Sequence, residues 1–133
     1  EVNKIIDKLE VFQGVDEIPN EKIRELVDFS YGSPGRYLVN LEYWLALSSP
    51  LKQKLEIKLN NQIESLKLAK DITDELNIEQ QLWLINFQQN RLWRKEKNTT
   101  AVKKLEELRK QILKHVQPRL AWEVTLLEIN FSN

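Results

Sequence analysis

The chain has 133 residues, and its twenty Lys and Arg balance twenty Asp and Glu, so the formal charge is zero with the lone His neutral. Hydrophobic residues make up 41% and charged residues 30%, the mixture of a folded domain rather than a disordered one. The lack of Cys excludes disulfides, thiolate zinc sites and cysteine nucleophiles, and a single His excludes a histidine-rich metal site. No run approaches the ~20 apolar residues of a transmembrane helix, so no membrane partner is expected. The chain opens on Glu1 without an apolar leader, which reads as a trimmed piece of a longer cytoplasmic protein.

Three Gly and four Pro interrupt a chain rich in Leu, Lys, Glu and Gln, and apolar residues recur at helical rather than alternating spacing, so the fold is expected to be all-α. Val2 to Leu9 reads as a short amphipathic helix, with Ile5, Ile6 and Leu9 on one face. Asn20 is placed to cap a second helix carrying Ile23, Leu26, Val27 and Ser30. Pro34 suits the first turn of a third, with Leu38, Leu41 and Leu45. Ser49 and Pro50 open a helix holding Leu51, Leu55 and Leu59. A longer one runs from about Gln62 to Leu76, with Ile63, Leu66, Ala69, Ile72 and Leu76 in register. Asn77 either ends that helix or starts the next, which carries Ile78, Leu82, Ile85 and Leu92 flanked by Trp83, Phe87 and Trp93. Val102, Leu105, Leu108, Ile112 and Val116 form a further stripe. Pro118 then breaks or kinks the chain before Leu120, Val124, Leu127 and Phe131.

Charge is distributed unevenly. Residues 1–48 hold five basic and nine acidic residues, residues 49–76 hold five of each, and residues 77–133 hold ten basic and six acidic. A boundary near Ser48 therefore separates a small acidic three-helix module, 1–48, from a larger helical bundle, 49–133.

Candidate chemistry is sparse. Gly32, Ser33, Pro34, Gly35 and Arg36 either present backbone N–H groups and an Arg to an anion at a helix start or form a tight interhelical turn. The segment is no P-loop, since the Lys-Ser/Thr pair is missing. Asp71, Asp74 and Glu75, like Asp16 and Glu17, read as solvated carboxylates rather than a paired acid and base. His115 lies near a helix C-terminus, where an imidazolium interacts well with the helix dipole. Arg91, Arg94 and Lys95, continued by Lys97, Lys103 and Lys104 and interleaved with Trp93, form either a nucleic-acid contact or a solvated helix end diluted by Glu96, Glu106 and Glu107. Trp44, Trp83, Trp93 and Trp122 are a generous allotment, enough for some to serve interfaces. No metal site and no catalytic constellation is expected.

Two stretches carry a resemblance. Phe29-Ser-Tyr-Gly-Ser-Pro-Gly-Arg-Tyr-Leu38 and Val116-Gln-Pro-Arg-Leu-Ala-Trp-Glu-Val-Thr-Leu-Leu127, with Glu79-Gln-Gln-Leu-Trp-Leu84 between them, resemble the C-terminal half of bacterial clamp-loader subunits of the DNA polymerase III delta-prime type, within the AAA+ family. The resemblance implies that 1–48 is most of a helical lid and 49–133 a collar that joins sister subunits into a ring. It further implies no cofactor in this piece and no ATP hydrolysis by it. The implied partners are gamma/tau and delta subunits, with DNA and the sliding clamp met through the complex. Arg36 matches the position of a lid arginine that senses nucleotide in ATP-hydrolysing relatives of the gamma/tau type, an alternative parentage for this chain. Arg119, Trp122 and Glu123 are then candidates for the subunit interface, or for internal packing.

Overall fold

The computed structural model describes residues 18–131, and the short helix expected over Val2–Leu9 lies outside them. Among the described residues every regular element is helical, with no strand. The chain divides into two compact units at Ser48/Ser49.

The first unit contains α1 (Asn20–Phe29) and α2 (Pro34–Leu45), packed on each other. Pro19, not Asn20, occupies the cap position of α1, and its carbonyl accepts from the N–H groups of Lys22 and Ile23 at 2.9 and 3.1 Å. The inward face is rotated from the expected one. Lys22, Glu25, Leu26 and Ser30 are buried on the α1 side while Val27 is exposed. A charged pair replaces apolar side chains here: Lys22 Nζ lies 2.7 Å from Glu25 and 4.9 Å from the centroid of the Trp44 ring. Two charges removed from water persist only when paired in this way. On α2 the buried residues are Asn40, Leu41 and Trp44.

The second unit contains α3 (Ser49–Glu56), α4 (Gln62–Glu75), α5 (Ile78–Arg91), a π-helical turn (Leu92–Glu96), α6 (Thr99–Leu113) and α7 (Pro118–Phe131). Helix α7 packs against α4 and α6, α5 against α6, and α3 against α4. From Gln80 to Leu92 no residue is fully exposed, so α5 is the enclosed helix of the bundle, burying Gln81, Trp83, Leu84, Ile85 and Phe87. The Trp83 and Phe87 rings stack with centroids 5.2 Å apart. Leu68, Ala69 and Ile72 of α4, Leu105, Leu108 and Ile112 of α6, and Ala121 and Trp122 of α7 complete the core. Each large side chain fully buried here contributes about 1.5–3 kcal/mol.

Asparagines begin three of these helices. Asn61 accepts from the N–H of Glu64, and Asn98 from that of Ala101. Asn77 forms a reciprocal capping box with Gln80, at 2.8 and 2.9 Å, and so starts α5 rather than ending α4. Helix α6 closes with a Schellman arrangement: His115 takes a left-handed φ of 62°, its N–H donates to Ile112, and that of Val116 to Gln111.

The stripes expected on α4 and α7 are not wholly the buried ones. Ile63 and Leu66 are exposed, and Ser65, Leu68, Ala69 and Ile72 face inward instead. On α7, Leu120 and Val124 are exposed at 52% and 45%, while Ala121, Trp122 and Thr125 are buried. The helix is apolar on both sides, so periodicity marks two stripes, and only packing against α4 and α6 decides which is internal.

Candidate functional site

The segment that opens α2 is built as a turn. Ser30, buried, donates its hydroxyl to the Leu26 carbonyl at 2.6 Å and accepts from Asn40 Nδ2 at 2.9 Å, which ties the turn to α2. Tyr31 and Gly32 both take left-handed φ values, 51° and 77°. Ser33 then caps α2, accepting from the Arg36 N–H at 3.3 Å, while its carbonyl accepts from Tyr37 at 3.0 Å. The N–H of Ser33 itself donates to Ser30 at 3.0 Å. The N–H groups of Ser33, Arg36 and Tyr37 are therefore engaged within the turn. Pro34 and Gly35 are exposed, and the Arg36 side chain is exposed beside a shallow groove lined by Phe29, Tyr31 and Val39.

The segment that opens α7 divides between inside and outside. Trp122, 2% exposed, donates its indole N–H to Gln81 Oε1 at 3.0 Å and belongs to the core of the second unit. Arg119 is exposed and Glu123 half-buried, one turn apart, and no ion pair of Arg119 is seen among the described residues. They border one side of Leu120 and Val124, which with Leu113 and Val116 of the preceding segment are exposed apolar side chains. Helix α7 has more apolar residues than one buried face requires, and Leu120 and Val124 belong to its outer side.

The basic segment is brought together by the π-helical turn. The turn ends at Lys97, left-handed with φ 50°, whose N–H donates to Trp93 at 3.2 Å, while that of Asn98 donates to Leu92. Trp93, Arg94, Lys95 and Lys97 are all exposed, and Lys97 Nζ sits 5.0 Å from the centroid of the Trp93 indole. Arg91 is set apart: it is half-buried and lies 3.7 Å from Glu56. Lys104 reaches Glu128 of α7 at 2.9 Å.

Acid–base chemistry finds no converging pair here. Asp71 is ion-paired with Lys54, and Asp74 and Glu75 are exposed on α4. Partial burial lowers the pKa of Lys52 on α3. The cavity bounded by Leu68, Ile72, Leu84, Leu105 and Trp122 measures about 130 Å³. Among the described residues no group of three or more His, Asp or Glu is arranged to hold a metal, and no helix is long and apolar enough to cross a membrane.

A family model described as cyanobacterial DNA polymerase III delta prime, C-terminal domain, matches residues 2–129. No curated protein and no solved structure shows a significant match. The family match takes in both the Gly32–Arg36 turn and the Pro118–Glu123 segment, where the resemblance to delta-prime subunits was seen, and the fold is all-α as that resemblance implies. The chain belongs to the family of DNA polymerase III delta-prime C-terminal domains.

Proposed function

We propose that this chain is a non-catalytic assembly part of a clamp loader, joining its subunit to sister subunits of the gamma/tau and delta type. Residues 49–133 act as the collar that makes these contacts, and residues 1–48 are the greater part of a helical lid. The observation that carries this reading is an apolar outer face on α7, with Leu120 and Val124 exposed and Arg119 and Glu123 along one edge of it, in a chain of the delta-prime family. Exposed apolar side chains bordered by charge are what a protein interface of about 800 Å² per partner uses at its centre and rim. Leu120 and Val124 are the anchors; Arg119 and Glu123 set register. DNA and the sliding clamp are met through the assembled complex, in the cytoplasm. Arg36 stands where active relatives hold a nucleotide-sensing arginine and here serves the lid surface.

Native mass spectrometry of the chain mixed with the collar regions of gamma/tau and delta subunits tests the reading. A heteromeric complex holding one copy of this chain is expected, and Leu120→Glu with Val124→Glu should abolish it while leaving the fold intact. A folded chain that stays monomeric in the mixture would overturn the assembly role.

A further inference from the structure

Of the four tryptophans, Trp44, Trp83 and Trp122 are 5%, 8% and 2% exposed, whereas Trp93 is 47% exposed. An indole left half in water is not explained by core packing, since Trp is on average among the more buried residues. It also stands at a break in the helix. The π-helical turn Leu92–Glu96 interrupts the α-helical ladder, and such turns occur frequently at functional positions. Leu92 stays half-buried against the bundle interior while Trp93 and its neighbours turn outward.

The surroundings of the ring are cationic. Between residues 91 and 104 there are six basic residues and one acidic one. Arg91 and Lys104 are drawn to Glu56 and Glu128, and the side chains of Arg94, Lys95, Lys97 and Lys103 are exposed. Lys97 holds its ammonium 5.0 Å from the indole centroid, so a positive charge accompanies the aromatic surface itself.

We infer that Trp93, with Arg94, Lys95 and Lys97, forms a binding platform for an unpaired nucleic-acid strand. A half-exposed indole offers stacking to any base whose face is free, on the ring surface that the Lys97 ammonium does not cover, and the exposed cations of the same segment supply partners for the phosphates. These are the two components of sequence-tolerant single-strand binding. A duplex hides its base faces and would meet only the charges. The platform is separate from the α7 face assigned to subunit assembly, and its function does not depend on that assignment.

Fluorescence anisotropy of labelled oligo(dT) titrated with the 133-residue chain at low salt tests the platform, with oligo(rU) added to tell a DNA strand from an RNA one. Saturable binding to at least one of them is expected, with a duplex of equal length binding more weakly. Trp93→Ala should weaken single-strand binding by about tenfold or more, as the loss of one stacked base predicts, while Trp93→Phe, which keeps a ring, should retain most of it. Arg94→Ala should weaken binding and lower the salt slope by about 1. Thermal melts of the three variants close to that of the parent would show that the surface substitutions leave the fold unchanged. Single-strand affinity unaltered by Trp93→Ala, equal affinity for the duplex, or no saturable binding to either strand would overturn the platform.

Discussion

The indole N–H of Trp122 donates to Gln81 Oε1 at 3.0 Å, and the amide of that same glutamine donates to the Leu76 carbonyl at 3.0 Å. One buried side chain thereby joins α7 to α5 and to Leu76, the first residue of the α4–α5 link. Each hydrogen bond contributes about 1 kcal/mol net, but an orphaned buried partner costs more, because water cannot replace what is lost. The Trp-Glu pair in the α7 motif is therefore divided by the fold: its tryptophan lies in the core and its glutamate borders the surface.

Trp122→Phe should destabilise the second unit by about 1–3 kcal/mol, since the ring survives and Gln81 loses its donor. Trp122→Ala should cost about 3–5 kcal/mol through the cavity it leaves. Denaturant melts followed by circular dichroism distinguish the two, and a Trp122→Phe loss near zero would show that the hydrogen bond contributes nothing.

Gly32 and Gly35 should respond in opposite ways to alanine. Gly32 has φ +77°, so Ala there should cost about 1 kcal/mol even though its Cβ meets nothing within 4 Å. At Gly35, in the first turn of α2, a Cβ meets Ser33 Oγ at an ordinary 3.9 Å, so Ala should be neutral or stabilising by up to about 1 kcal/mol. A comparison of the two melting temperatures checks the contrast.

His115 occupies the left-handed position that ends α6, where glycine is the usual residue. His115→Gly should raise stability by about 1 kcal/mol, the penalty of a side chain in that conformation. A lower melting temperature would mean that the exposed imidazole makes a contribution larger than the backbone strain.

Ser65 is fully buried on α4, and its hydroxyl has no hydrogen-bond partner among the described residues. Ser65→Ala removes an unsatisfied polar atom and improves helix propensity, so a gain of about 1 kcal/mol is expected. Destabilisation on thermal melting would instead point to a bond made by the hydroxyl in solution.

Much of this architecture was legible in the residues. Pro34 starts α2 because its missing N–H falls where none is needed, and Asn77 with Gln80 forms a local hydrogen-bonding unit that identifies itself. The π-helical turn was not legible, for it depends on how Leu92 and Trp93 are divided between the bundle and solvent. Nor was the burial of Lys22 and Glu25, which apolar periodicity cannot indicate.

Sequence by itself determined the all-helical class and most helix starts, because caps, prolines and 3.6-residue periodicity act over a few neighbouring residues. Its two motifs pointed to the delta-prime family. Only the tertiary structure decided which of two apolar stripes on α7 is core, which tryptophan is left in water, and how far the Gly32–Arg36 turn satisfies its own N–H groups. These are outcomes of packing between helices distant along the chain, where burying one face exposes the other.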